Sequence, residues 1–165
     1  MIITIQMKDT WTKEEQAENR RAWVSNLRSR KFKQGRGVLY DRRTDCHCVL
    51  GVACATFGDT FNGTPPPCKN DNDKDFFSGC VFSDFGHLYG MLPKKVADAL
   101  GLKCDAGTDF EEASPGTIGG EALWRLNDGV QQIYQNPEPK PYTFEELADY
   151  IEQHESEFNE DDSNV

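Results

Sequence analysis

The run Arg30-Lys-Phe-Lys-Gln-Gly-Arg-Gly-Val-Leu-Tyr40, Asp41-Arg-Arg-Thr-Asp45, Cys46-His-Cys-Val-Leu-Gly-Val-Ala-Cys54 changes its pattern twice within 25 positions. Gly35 and Gly37 break any helical pattern arriving from the N-terminal side. Val38-Leu-Tyr40 and Cys46 to Val49 then read as two short strands around the polar turn Asp41–Asp45. Leu50 to Phe57 is almost entirely apolar, which suits a short buried helix closed by Gly58. Short strands that hand over to a helix in this way point to an α+β arrangement.

The flanks agree. Upstream, Thr12-Lys-Glu-Glu15 is a capping box, in which the Thr hydroxyl and the Glu carboxylate satisfy backbone donors at a helix start. Ala17, Val24 and Leu27, with Trp23 beside them, then form one apolar face, so the pattern predicts a helix from about 13 to 29. Downstream, residues 58 to 79 hold three consecutive prolines and the polar run Lys69–Asp75, a loop insertion. Phe82 to Tyr89 reads as a further strand region. Pro93 and Gly101 frame a helix over 93–100, and another is expected near 119–128. Thr143-Phe-Glu-Glu146 is a second capping box, followed by Leu147, Ala148 and Ile151 at helical spacing from Phe144. The expectation is a single α+β domain over 1–155, a small antiparallel sheet around 35–49 and 80–89 packed by four or five helices. Residues 156–165 are an acidic tail, nearly without apolar side chains and expected to be loosely held.

The 165 residues carry a net charge of −10 and a mean hydropathy of −0.69. No apolar run approaches the roughly 20 residues that span a bilayer. The start, Met1-Ile-Ile-Thr-Ile-Gln-Met7, lacks the charge pattern and cleavage site of a signal peptide. These features lead to the expectation of a soluble intracellular protein. The charge is uneven. Residues 8 to 43 hold eleven Lys/Arg against five Asp/Glu, whereas residues 105 to 165 hold two against sixteen. An acidic total disfavours direct nucleic-acid binding, which depends on summed positive potential.

Four kinds of site suggest themselves. Arg30, Lys33, Gly35, Arg36, Gly37, Arg42 and Arg43 combine bidentate donors with glycines that let backbone N–H groups approach an anion. The segment lacks the Gly-Lys-Ser/Thr ending of a P-loop. A small anionic ligand such as a nucleotide is one reading, and a solvated face that pairs with the acidic half is the other. Cys48 stands where a strand meets a helix N-terminus, a place that lowers a thiol pKa, and His87 is the base candidate for a cysteine-nucleophile hydrolase or transferase. Packing is the competing role for Cys48. Cys46, His47, Cys48 and Cys54 with Cys68 or Cys80 could hold zinc, although no second paired knuckle exists, so no cofactor is expected. Glu152, Glu155, Glu157, Glu160, Asp161 and Asp162 form an acidic end suited to a basic groove on a partner. The Asp71, Asp73, Asp75 alternation is not an EF-hand, because Phe76 and Phe82 stand where glycine and a bidentate Glu are needed.

Four segments together resemble a group of small proteins encoded by bacteriophages. They are Trp23 to Leu39, Cys48-Val-Leu-Gly-Val-Ala-Cys54, Leu92 to Leu102, and Leu126-Asn-Asp128 with Thr143 to Glu152. The likeness covers about half the chain in the same order and departs at 58–79 and 130–142. It implies a phage accessory product in the cytoplasm of an infected bacterium and carries over no catalytic residue. The leading expectation is a non-enzymatic inhibitor that binds a bacterial host or defence protein.

Overall fold

The computed structural model describes residues 1–37, 39–41, 43–58, 80–82, 87–90, 94–102, 123, 126–129 and 140–159. Helix α1 runs from Lys13 to Arg28. Its capping box is formed as the sequence predicts, with Thr12 Oγ1 accepting from Glu15 N and Glu15 closing back on the Thr12 amide. Short strands β1 (Lys33–Gln34), β2 (Tyr40–Asp41) and β3 (Cys46–His47) follow, then α2 (Val49–Thr56). Strands β4 (Cys80–Phe82) and β5 (His87–Gly90) precede α3 (Lys94–Leu100). Helix α4 (Phe144–Gln153) starts at a second complete capping box on Thr143 and Glu146 and runs on into a 3-10 turn, Glu155–Asn159.

The fold is α+β, with the five strands in the order β1-β3-β2-β5-β4. Three pairings are antiparallel, as expected: Tyr40 faces His47 and Leu88, and Val81 faces Tyr89. The fourth corrects the expectation of an antiparallel sheet, because β1 runs parallel to β3, with Lys33 opposite Cys46 and Gln34 opposite His47. After β1 the chain steps over the place that β3 later fills, forms β2, and returns as β3. The strands are also shorter than the apolar runs suggested, since Cys48 and Val49 already belong to the start of α2.

Helix α1 is the axis of the core and touches α2, α3 and α4. Trp23 is completely buried on it and donates its indole N–H to Val49 O at 3.1 Å. The polar side chains on the same face cap a neighbour. Gln16, Asn19 and Arg20 donate to the carbonyls of Asp98, Ala99 and Leu100, the last turn of α3. That helix closes in a Schellman motif, with Leu102 N bonded to Ala97 O and Gly101 N to Asp98 O. Buried Asn26 binds the N-terminal segment through both the N–H and the C=O of Ile3 and also donates to Thr56 Oγ1.

From Glu155 to Asn159 the chain stays on the core, and residues 160–165, the rest of the tail expected to be loosely held, lie outside the described residues. Phe158 is buried against the Arg20 guanidinium, 4.8 Å from its ring centre, and Glu155 receives a bidentate contact from the same Arg20. Of the helix expected near 119–128, Leu123 and residues 126–128 are helical, and the remainder lies outside the described residues. So does the insertion from residue 59 to 79. Among the described residues, no helix is long and apolar enough to cross a membrane.

Candidate functional site

Segments far apart in sequence meet at Asn127, whose side chain is fully buried. Its Oδ1 accepts from Gln34 Nε2 at 3.0 Å and from the Val49 amide at 3.2 Å, the latter a free donor in the first turn of α2. Its Nδ2 donates to Gly35 O at 2.9 Å and to Asp128 Oδ1 at 2.8 Å. Gln34 continues the network, donating to Tyr142 O and accepting from the Phe144 amide at the start of α4. Asp128 Oδ2 accepts from the Gly37 amide at 3.0 Å. The loop after β1, the N-terminus of α2, the turn at 127–128 and the entry to α4 are thus tied through two side-chain amides and one carboxylate.

Two glycines allow this closeness. A Cβ on Gly51 would lie 1.9 Å from Leu39 O, so α2 presses its backbone directly on the chain entering β2. A Cβ on Gly35 would lie 2.8 Å from Cys46 Cβ, across the parallel β1–β3 pair. The Gly35 amide bonds His47 O at 2.7 Å. The backbone donors of Gly35 and Gly37 are therefore engaged within the protein; Gly35 allows β1 to lie close to β3, whereas Gly37 is exposed, at φ 75°, with open space where a Cβ would stand. The cations of the same segment behave differently: Arg30, Lys33, Arg36 and Arg43 are exposed. Arg43 lies 3.8 Å from Asp41, and Arg42 is outside the described residues.

Cys48 is the N-cap of α2, its sulfur accepting from Gly51 N at 3.4 Å. The helix-dipole argument expects a lowered thiol pKa, but the structure reverses it. Burial pushes the Cys48 thiol up to about 12, and the nearby Asp128 charge adds to the effect. His87 sits in β5 opposite Asp41. The order β3-β2-β5 puts its strand two spacings, roughly 10 Å, from the one that leads into Cys48. Native-state alkylation at neutral pH should accordingly label half-buried Cys46 well before Cys48 or Cys54. Mass spectrometry of the peptides checks this, and fast labelling of Cys48 would overturn the assignment.

For zinc, the spacing within α2 is unfavourable. Cys48 and Cys54 are six residues apart, about 9 Å along a helix, too far for two sulfurs each about 2.3 Å from one ion. Cys80 opens β4 and Cys68 lies outside the described residues. Among the described residues, no three His, Cys, Asp or Glu side chains converge as metal ligands.

His47 is buried between two rings. Phe32 meets it edge-on at 5.1 Å and Tyr40 tilts over it at 4.6 Å. Burial lowers its pKa to about 4, against a smaller opposing pull from Asp45. The folded state thus binds this proton less readily than the unfolded chain does. The stability involved is intact above about pH 6.5 and is lost as pH falls from there toward 4. Between pH 8 and pH 5 the loss is about 2 kcal/mol for this one group. Urea unfolding of the wild type and of His47→Phe should differ in pH dependence by that amount, and identical profiles would contradict it.

Two carboxylates of the acidic end, Glu152 and Glu155, are engaged by arginines. One guanidinium, Arg28, contacts Glu145, Asp149 and Glu152 across the exposed side of α4, and this holds the Glu152 carboxyl below its ordinary pKa. Glu155 is taken by Arg20. Glu157 lies in the 3-10 turn, and Glu160, Asp161 and Asp162 fall outside the described residues. A shallow cleft of about 400 Å³ runs between residues 140–142 and α4, lined by Tyr142, Glu146, Asp149 and Tyr150 among others. Lys140 acts on Glu146 and Arg28 on Asp149, so the cleft is close to charge balance.

A family model described as a domain of unknown function, DUF8296, matches residues 15–155. The chain belongs to that family. The matched span contains all but the first two residues of α1, the whole of α2 to α4 and the Asn127 junction. No curated protein and no solved structure matches the chain. Gln34, Asn127 and Asp128, which join the site, had no assigned role in the sequence. The available signal was weak: Leu126-Asn-Asp128 is one of the four segments that carry the phage resemblance, and it contains polar side chains next to a buried position.

Proposed function

We propose that this protein works by binding, as a phage accessory product that engages and interferes with a bacterial host or defence protein in the host cytoplasm. The observation that carries this reading is the closed junction. Gln34, Asn127 and Asp128 use their polar atoms to hold protein segments together, and the thiol among them is buried and protonated. Such an arrangement shapes a surface rather than exposing a reacting atom. The segments that resemble phage proteins support the setting, and the separation of charge along the chain supports electrostatic recognition.

Affinity capture from bacterial lysate at low salt tests it, with baits tagged at the N-terminus in one arm and at the C-terminus in the other. The expected result is one host protein enriched by both baits and equally by Cys48→Ser. Failure of both baits to enrich anything would count against binding. Turnover of a substrate that is abolished in a folded Cys48→Ser protein would replace this reading with the enzymatic one.

A further inference from the structure

We infer that the docking surface is the basic segment 30–36 and that it takes a carboxylate-rich protein segment. This rests on the binding reading above and adds the face that binds and the charge of the partner.

Between Ser29 and Gly37 the chain is bracketed by two left-handed residues, Arg30 at φ 58° and Gly37 at φ 75°. Phe32 packs edge-on against His47, and the Gln34 side chain enters the junction. Lys31 and Lys33 alternate with them in sequence and are exposed, Lys33 as the first residue of β1. Arg30 and Arg36 are exposed at the two ends. None of these four cations has an ion-pair partner among the described residues. Four acids of the C-terminal helix and turn are held by other cations: Glu145, Asp149 and Glu152 contact Arg28, two residues before the strip, and Glu155 contacts Arg20.

The strip is also held in place. Gln34 is fixed by three hydrogen bonds and Phe32 by the buried imidazole, so the backbone beneath the cations is ordered before a partner arrives. Lys33 lies on the edge strand β1, where a lysine discourages strand addition, so contact runs through side chains.

The charge distribution favours acidic protein over nucleic acid. The strip reaches at most about 20 Å, whereas duplex DNA carries a charge every 1.7 Å or so and would continue over the acidic remainder of a −10 chain. That repulsion acts within a screening length of about 8–10 Å. A loop or helix with a few clustered carboxylates ends where the strip ends, and Arg30 and Arg36 offer it bidentate contacts.

Fluorescence anisotropy on the full chain tests this with three probes: a short labelled Glu/Asp-rich peptide, a single-stranded oligonucleotide of equal charge, and labelled ATP. The peptide should bind best, about tenfold more weakly at 300 mM than at 50 mM salt. The charge reversal R30E/K31E/K33E/R36E should weaken it at least about tenfold, while Arg21→Glu on the exposed face of α1 should change it less than about twofold. A matching thermal melt confirms that the reversed protein is folded. Tighter binding of the oligonucleotide or of ATP would overturn the partner class, and peptide binding that survives charge reversal would overturn the surface. A host protein captured equally by the reversed bait would leave the binding function standing and reject this face.

Discussion

Gly51→Ala should destabilise the fold by at least about 3 kcal/mol, although alanine is the better helix former. The added methyl carbon would sit 1.9 Å from Leu39 O and 2.9 Å from Leu39 C, against backbone rather than a side chain that can turn away. Either α2 must lift off or β2 must shift. Both movements disturb the Cys48 N–H bond to Leu39 O and the Asn127 bond to the Val49 amide. Chemical denaturation of the variant, with its midpoint and slope compared with wild type, measures the effect. A variant within about 0.5 kcal/mol of wild type would show that α2 does not approach β2 so closely.

Asn127→Ala should cost about 4 kcal/mol, a large part of the 5–15 kcal/mol typical of a domain. The truncation leaves the buried Val49 amide and the part-buried Gly35 carbonyl without their side-chain partner and frees one part-buried Gln34 donor, where an unsatisfied buried group costs roughly 1–3 kcal/mol. The expected drop in Tm is about 10 °C. Asp128→Asn is the informative comparison. It keeps one acceptor oxygen, enough for the Gly37 amide or for Asn127 Nδ2 but not both, and should be milder because the Asn127 bonds to Gln34, Val49 and Gly35 remain. If the two variants were equally damaging, the Asp128 charge rather than the Asn127 amide would hold the junction.

Particular residues show what could be read from sequence. Both capping boxes were legible because their donors and acceptors lie three residues apart, a separation within one helical turn. The Gly101 end of α3 was legible for the same reason, and so was the apolar stripe Phe144, Leu147, Ala148, Ile151 on α4. The basic strip was visible as composition, but composition did not reveal that Arg28 would contact three acids on α4 while Arg30, Lys31, Lys33 and Arg36 have no ion-pair partner among the described residues. Cys48 was correctly placed at a helix start, and of its two readings, reactive thiol or packing, its burial favours packing. The dipole is a local property, whereas desolvation depends on what closes over the thiol.

The sequence by itself determined where helices begin and end, which side of each faces inward, and that the strands are short and interrupted by glycine. Those properties arise from contacts between residues a few positions apart. The tertiary structure alone decided the parallel pairing of β1 with β3, the capping of α3 by Gln16, Asn19 and Arg20 from about 80 residues away, and the convergence of four segments on Asn127. An amide or guanidinium side chain can satisfy almost any backbone group it meets, so its partner is set by packing rather than by its neighbours in the chain.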